Sequence, residues 1–368
     1  MARSKPQKTR RLEPTVVGSG LVALDVVNRP KEGDVQHFAG GTCGNVLTIL
    51  SYLGWRAKPI SRLKNDLSAR YLIEDLKKWN VDTSLMTTTS DGSTPVIIHN
   101  IREAADGSRS HSFSLRCPCC GGYLPGFKSV LGNDAVELSK EIGTHQVFFF
   151  YRVSRGILNL ATASAEAGAL VVFEPCGVGN PKLFEEAWSV AHVVKYSNDR
   201  LRDIADLDLR PPIRNDLLLE IETLGASGLR FRSRLRNSTK GKWKTLNIIP
   251  AECVRDAAGS GDWCTAGVIH KLARGGHCGF SKVSSERLVE AIRYGQALST
   301  WNCRFEGARA GMYQATKSRF ERQIRSLLAG KGIRNPVEEQ FSNVEDLRRL
   351  CPACESIEFS ARKRAAAS

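Results

Sequence analysis

The segment Asp256-Ala-Ala-Gly-Ser-Gly-Asp262 stands directly before an apolar run that begins at Trp263 and has helical character. Without large side chains, the backbone of such a loop can approach a ligand closely. The free N–H groups and the positive dipole end of a helix start stabilise an anion. The segment therefore predicts an anion-binding loop whose amides belong to Gly259, Ser260 and Gly261.

The carboxylate of Asp262 falls in the first turn of the predicted helix, where the helix dipole favours its ionised form. An ionised carboxylate in that place can accept a hydroxyl proton at neutral pH. Phosphoryl transfer requires mainly an aligned acceptor oxygen and stabilised charge on the moving phosphoryl group. The pattern therefore indicates phosphoryl transfer with Asp262 as general base, although the same residues could simply cap a helix.

The same segment resembles the C-terminal signature of the PfkB/ribokinase family, usually Asp-Thr-x-Gly-Ala-Gly-Asp, and departs from it at Ala257 and Ser260. Three further landmarks follow in the family's order: Asp25, Gly40-Gly41-Thr-Cys-Gly-Asn45 and Thr223-Leu-Gly-Ala-Ser-Gly228. Together the landmarks cover residues 15 to 330, far more than a single motif.

The resemblance implies an enzyme, a carbohydrate or nucleoside kinase that transfers the γ-phosphoryl of ATP to a hydroxymethyl group of a sugar or nucleoside. It implies Mg²⁺ as well, because the charge of the triphosphate must be neutralised. The acceptor would be held by Asp25, Gly40, Gly41 and Asn45. The nucleotide would be bordered by Thr223, Gly225, Gly228 and Asp256.

One departure from the family concerns its usual Asn-x-x-Glu after a central strand, which helps to place magnesium through water. Ser197 and Arg200 stand at those positions. Asn198 and Asp199 could substitute, or Arg200 could contact phosphate directly. The remaining alternative is a non-catalytic member of the fold that serves as a ligand-binding or nucleic-acid-associated regulator.

A dinucleotide-dependent oxidoreductase is a competing class, because Gly18-Ser-Gly20-Leu-Val-Ala23 fits a Gly-x-Gly-x-x-Ala fingerprint. That fingerprint requires a helix to begin at once and to run on to a second strand. Pro30 and Gly33 interrupt the pattern too early. The oxidoreductase class is therefore disfavoured.

Strand-like and helical runs alternate from Gln146 onward, which predicts a doubly wound α/β fold of ribokinase type with a mostly parallel sheet flanked by helices. Two strand-like runs joined by a turn at Asp106-Gly107 predict a small β lid within residues 85–125. The predicted organisation is a basic disordered tail at 1–12, a kinase domain at 13–330 and an extension at 331–368.

The chain contains 11 cysteines, and two of its segments share the form Cys-Pro-x-Cys: Cys117 to Cys120 and Cys351 to Cys354. Each turn of this form offers two thiolates, so the pair resembles the two halves of a tetrathiolate zinc site. Gly121 suits the left-handed turn after the first half. A zinc ion bound by both segments would hold the C-terminal extension beside the lid. In the other interpretation, the two segments are unrelated and their cysteines are buried or redox-active thiols.

The charge balance of 53 Lys and Arg against 38 Asp and Glu favours anionic partners, nucleotides and phosphorylated metabolites ahead of nucleic acid. Basic residues between Gly228 and Lys244 are interpreted as a charged hairpin edge. No apolar run of membrane-spanning length and no secretory signal is found, so a cytoplasmic protein is expected. A β lid could also pair with its copy in a homodimer.

Overall fold

In the computed structural model the described residues are 13–29, 34–103, 109–201, 216–235, 241–333, 347–354 and 356. The predicted tail at 1–12 lies outside them, as do the turn at Asp106-Gly107 and the positions of Pro30 and Gly33. The domain boundaries proposed from the sequence stay predictions.

A nine-stranded sheet forms the centre of the fold, in the spatial order β13-β12-β11-β10-β9-β8-β1-β4-β5. Its strands are β1 Thr15–Ser19, β4 Arg56–Lys64, β5 Met86–Thr89, β8 Val147–Phe150, β9 Leu170–Phe173, β10 Val193–Ser197, β11 Leu219–Thr223, β12 Leu229–Ser233 and β13 Lys244–Leu246. All neighbours are parallel from β5 to β11, and the last two strands are antiparallel. The predicted doubly wound, mostly parallel sheet is confirmed.

The central strands β8 and β9 are buried at every position. Their sequences, VFFF and LVVF, are uninterrupted apolar runs, because both faces of a central parallel strand are covered by helices. Phe150 and Phe173 stack across the strand pair with ring centroids 4.5 Å apart.

Ten helices flank the sheet within the described part of the chain: α1 Thr42–Tyr52, α2 Leu67–Lys78, α3 Gly132–Glu141, α4 Arg155–Glu166, α5 Pro181–Val190, α6 Ser260–Leu272, α7 Gly276–Phe280, α8 Ser285–Asn302, α9 Ala310–Gln314 and α10 Lys317–Leu328. Helices α6 and α8 approach closely, because a Cβ on Gly267 would lie 2.7 Å from the Cα of Gly295. None of the described helices has the length and apolar character to cross a membrane.

A second, four-stranded sheet in the order β3-β2-β6-β7 forms the lid. Its strands are β2 Ala23–Arg29, β3 Asp34–Gly40, β6 Val96–Glu103 and β7 Arg109–Ser114. The sequence placed the lid within about residues 85–125, and the structure corrects this: β2 and β3 supply half of the lid strands, whereas Met86–Thr89 belongs to the central sheet. The reason is that β2 pairs in parallel with β6, more than 60 residues away, a contact that no local pattern reports.

The basic hairpin contains β12 and β13, and two of its arginines, Arg230 and Arg232, are paired; residues 236–240 lie outside the described part of the chain. Arg230 bonds Glu222 at 2.5 Å and Arg232 bonds Glu220 at 2.6 Å, both glutamates lying on the adjacent β11. The same two guanidinium groups lie over the ring of Trp243 at 4.7 and 4.8 Å. The charge of these arginines is therefore balanced within the sheet.

Candidate active site

A cavity of about 920 Å³ opens between the lid and the ends of the parallel strands. In open parallel sheets, ligands bind outside the carboxyl ends of the strands. Ten residues singled out in the sequence line this cavity: Asp25, Gly41, Asn45, Thr223, Gly225, Gly228, Gly259, Ser260, Gly261 and Asp262. The structure therefore brings together segments that lie more than 230 residues apart.

The glycine-rich loop has the backbone shape expected of an anion-binding turn. Gly259 adopts φ 71° at the position before α6, and a Cβ there would lie 2.4 Å from the carbonyl oxygen of Ala308. Helix α6 then begins at Ser260, so the free N–H groups of its first turn lie where the loop borders the cavity.

Asp256 stands behind this loop and does not line the cavity. Its carboxylate accepts hydrogen bonds from the backbone N–H groups of Ala258 and Gly307, both at 2.8 Å. The side chain is only 2% exposed, and His99 Nε2 of the lid lies 3.6 Å from it. Asp256 therefore fixes the loop to its neighbours; the sequence had placed it beside the nucleotide.

A row of buried hydrogen bonds ends at the carboxylate of Asp262. Asn45 Nδ2 donates to Asp262 Oδ2 at 2.7 Å, and Arg309 Nε donates to Asn45 Oδ1 at 3.0 Å. Arg309 is paired in turn with Asp75 at 3.2 Å, and that carboxylate also accepts from Tyr313 Oη at 2.7 Å. The row joins α6, α1, α9 and α2, so the orientation of Asp262 is set by four helices.

The pKa of Asp262 is raised from 3.8 to about 7. Burial is the largest cause, and the nearby charge of Glu174 adds to it; Asn45, Lys195 and Arg200 act in the opposite direction. From the sequence, the helix dipole was expected to favour the ionised carboxylate at neutral pH. Desolvation outweighs the dipole here, and Asp262 titrates close to neutrality.

A buried ion pair that the sequence argument missed lies beside the loop. Lys195 Nζ bonds Glu174 Oε1 at 2.9 Å, and Thr265 Oγ1 donates to Glu174 Oε2 at 2.5 Å. A Cβ built on Gly261 would lie 3.5 Å from Lys195 Nζ, so the ammonium group is adjacent to the anion loop. The signal was a lysine within the apolar strand VVKYS, since lysine is rarely buried without a purpose.

The segment that departs from Asn-x-x-Glu also lines the cavity, through Ser197, Asp199 and Arg200. Arg200 Nη1 donates to Tyr151 Oη at 2.9 Å, which directs its guanidinium over the cavity. Asn198 is not among the lining residues, and its backbone N–H bonds the carbonyl of Thr223. Of the substitutes considered for the magnesium motif, Asp199 and Arg200 are the ones in position.

Asp25 lies at the lid side of the cavity, on β2. A Cβ on Gly40 would lie 1.9 Å from Asp25 Oδ2, so the glycine is required by the carboxylate. Burial raises the pKa of Asp25 to about 7, against the lowering effect of Arg309 and of the Gly41 amide. Oδ1 of Asp25 is buried with no hydrogen-bond partner among the described residues, as expected of a group that awaits a ligand hydroxyl.

The opposite end of the cavity is formed by tight turns and apolar side chains. Gly225 and Gly228 have φ of 56° and 92°, and a Cβ on Gly228 would lie 2.3 Å from the carbonyl oxygen of Leu246. Ile248 and Val254 line this end and are 42% and 62% exposed. Such an open apolar surface suits the face of a heteroaromatic base.

The four cysteines of the two Cys-Pro-x-Cys segments converge outside this cavity. The sulfur atoms of Cys117, Cys120, Cys351 and Cys354 all lie within 4.8 Å of one another. Cys119, for which the sequence gave no role, is exposed. The sequence left open whether the two segments meet, and the structure brings them together.

Comparison with known proteins agrees with this architecture. No family model matches the chain. A candidate sugar kinase of Pyrococcus horikoshii is 26% identical over 258 residues, covering 67% of this chain and 78% of that protein. The probable fructokinase-7 of Arabidopsis thaliana is 26% identical over 294 residues, covering 72% and 80%.

Two solved structures share the fold along nearly their whole length. A fructokinase with bound ATP from Xylella fastidiosa superposes with a TM-score of 0.65 at 20% identity, over 86% of this chain and 99% of that one. A Burkholderia thailandensis nucleoside kinase in complex with inosine gives a TM-score of 0.62 at 15% identity, over 85% and 98%. The fold is ribokinase-like.

In sequence and in fold, the chain is therefore similar to the carbohydrate and nucleoside kinases of the PfkB/ribokinase family. The residues of this chain that match the family's landmarks meet in one cavity, although Gly40 acts by leaving space for Asp25 and Asp256 acts from behind the loop. Lys195, Glu174 and Arg309 are the site residues that the landmarks did not include.

Proposed function

We propose that this protein transfers the γ-phosphoryl group of ATP to a hydroxymethyl group of a sugar or nucleoside, with Asp262 as the general base. The observation that carries the proposal is the row Arg309–Asn45–Asp262, which aims a titratable carboxylate into the cavity beside the start of α6. A base with a pKa near the working pH combines a sufficient ionised fraction with a useful proton affinity.

The acceptor would lie between Asp25 and Asp262. The unpartnered Oδ1 of Asp25 would accept a hydrogen bond from an acceptor hydroxyl, and Gly41 and Asn45 would line the same subsite. The hydroxymethyl oxygen would then face Asp262, which removes its proton as the bond to phosphorus forms. Phe38 and Phe113 line the lid side, so a flat ring would find apolar contact there.

The transferring phosphoryl group would lie against the amides of Gly259, Ser260 and Gly261. Lys195 and Arg200 would add positive charge on the side opposite the lid, since both line the cavity and Lys195 lies close to Gly261. This is the proposed role of Arg200 in place of the family's usual glutamate. Charge placed in advance around the phosphoryl group stabilises the transition state without reorganisation.

ATP would place its base against Ile248 and Val254, with Thr223, Gly225 and Gly228 bordering the phosphates. Mg²⁺ neutralises charge on the triphosphate when it is bound, and Asp199 is the lining carboxylate that would hold it through water. ATP and Mg²⁺ are thus the proposed cofactors of the reaction, and a structural Zn²⁺ at the cysteine cluster would take no part in the chemistry.

The test is a screen of ATP consumption against sugars, sugar acids and nucleosides, performed on the wild-type chain and on Asp262→Asn in parallel. Turnover that depends on one acceptor class and disappears in Asp262→Asn is the expected result. Binding of ATP without turnover by any acceptor would favour the non-catalytic alternative. The paired arginines of β12 give no support to the nucleic-acid version of that alternative.

A cytoplasmic location and a homodimer formed through the lid both stay predictions.

A further inference from the structure

We infer that Cys117, Cys120, Cys351 and Cys354 bind one zinc ion as a structural tetrathiolate site, which fastens the C-terminal segment to the root of the lid. The site lies outside the catalytic cavity, and none of its four residues lines that cavity. Metal binding here does not depend on the proposed kinase activity.

The distances between the sulfur atoms fit a metal better than a disulfide. Cys117 Sγ lies 3.8 Å from Cys354 Sγ, and Cys120 Sγ lies 3.6 Å from Cys351 Sγ. A Zn–S bond of about 2.3 Å in tetrahedral geometry places two sulfurs about 3.8 Å apart. A disulfide requires about 2.05 Å. Each close pair joins one Cys-Pro-x-Cys segment to the other, as a shared ion between them requires.

The first segment is a tight hairpin that presents its two sulfurs on one side. The backbone N–H of Cys117 bonds the carbonyl of Gly122 at 2.8 Å, and the N–H of Gly121 bonds the carbonyl of Cys117 at 2.9 Å. Gly121 has φ 72°, the left-handed conformation that the sequence predicted at this point. Arg116 stacks on Tyr123 at 3.9 Å and closes the base of the hairpin.

The second segment follows a short 3₁₀ turn, Leu347–Leu350. Leu350 packs in the main core, and Cys351 and Cys354 are 0% and 6% exposed. Cys120 remains accessible at the rim of the cluster, through which an ion can enter.

A neutral thiol cluster is a weaker explanation of this arrangement. Thiol groups offer each other only weak hydrogen bonds, whereas a bound zinc ion joins the two segments by four strong bonds. The segments are separated by 231 and 237 residues at their close contacts, so the chain itself does little to hold them together. The metal supplies that connection.

The position of the site connects it to acceptor binding. Leu115, which lines the cavity, precedes Cys117 by two residues, and its carbonyl accepts from the N–H of Leu124 at 2.8 Å across the hairpin. The 3₁₀ turn before Cys351 packs against α2, the helix that carries Asp75. Zinc would therefore fix the root of the lid relative to the helix that orients Arg309.

Metal analysis of the full-length protein, purified under reducing conditions without chelator, tests the site. We expect about one zinc per chain in the wild type and in Cys119→Ser, the matched control at the exposed neighbouring cysteine. The double variant Cys351→Ser/Cys354→Ser should contain none. Wild-type protein free of metal, protein that holds iron instead, or a double variant that keeps its zinc would each overturn the inference.

A second measurement covers the case in which the double variant does not fold. Wild-type protein stripped of metal and given Co²⁺ should develop the visible absorption of tetrahedral cobalt bound to thiolates, and Zn²⁺ should abolish it. Alkylation followed by mass spectrometry should show these four cysteines protected with zinc and reactive without it, while Cys119 reacts in both states. A cobalt spectrum without thiolate character would contradict the proposed ligands.

The link to the lid is measured separately and rests on the proposed kinase activity. Removing zinc should raise the KM of the acceptor by about tenfold, and that of ATP much less. An unchanged acceptor KM in zinc-free, folded protein would refute the link while leaving the metal site intact.

Discussion

The two ends of the cavity differ in how their parts are held. At the acceptor end, Asp262, Asn45, Arg309 and Asp75 are no more than 8% exposed and form one row of hydrogen bonds. At the nucleotide end, exposed Ile248 and Val254 follow turns at Gly225 and Gly228. Activity is therefore expected to respond to the loss of single atoms at the acceptor end. At the nucleotide end it is expected to respond to changes in backbone shape and charge.

The largest effect is expected at the base itself. Asp262→Asn keeps the size of the side chain and the row of hydrogen-bonding neighbours but cannot accept the proton, so kcat should fall by about 10³-fold. ATP binding, measured by calorimetry, should be retained. Asp134→Asn, at an exposed position in α3, is the isosteric control. Full activity in Asp262→Asn would show that the base has been assigned to the wrong residue.

A smaller loss is expected for Arg200→Ala, which removes a positive charge between the two ends. We expect kcat to fall by about 10²-fold, as for the loss of one group that stabilises transition-state charge. The concentration of Mg²⁺ needed for half-maximal rate should also rise. Arg200→Lys should recover part of the rate, because it restores the charge without the bond to Tyr151. Equal rates for all three proteins would place Arg200 outside the reaction.

The pH dependence of kcat/KM tests the row of hydrogen bonds at the acceptor end. Because Asp262 and Asp25 have raised pKa values of about 7, the wild-type kcat/KM should be low in acid and rise with pH through neutrality. The bond from Asn45 lowers the pKa of Asp262, so Asn45→Ala should shift the rise to higher pH and reduce the rate at pH 7 by about tenfold.

Asn180→Ala, at the exposed start of α5, removes an N-cap far from the base and is the control for this series. Its pH profile should coincide with that of the wild type. An Asn45→Ala profile that keeps the wild-type midpoint at a reduced rate would mean that Asn45 acts on the acceptor alone.

The smallest effect is expected from a matched pair of glycines at the nucleotide end. In Gly225→Ala the new Cβ meets no neighbouring atom. The substitution should lower the free energy of unfolding by about 1 kcal/mol, because alanine must adopt the left-handed backbone conformation there. Gly228→Ala also meets the carbonyl of Leu246 and should cost about 3 kcal/mol, with a raised KM for ATP. Thermal and urea denaturation compare the two. Equal losses would indicate that this turn adjusts freely.

Local patterns predicted much of the site. The loop ending at Asp262, the glycines after β11 and the cysteine turns each occupy fewer than ten residues, so the sequence shows their composition and spacing directly. The side chains that complete the site were missed because their partners are distant: Arg309 meets Asn45 across 264 residues.

The sequence by itself determined the resemblance to PfkB/ribokinase kinases, the alternating α/β order, the identity of Asp262 as the candidate base and the two halves of the cysteine cluster, because each depends on residue types at short spacing. Tertiary structure alone decided that β2 and β3 join the lid, that Lys195 and Glu174 stand beside the loop, and that Asp262 titrates near neutrality. These three depend on burial and on long-range pairing, which are properties of the folded chain and not of any single segment.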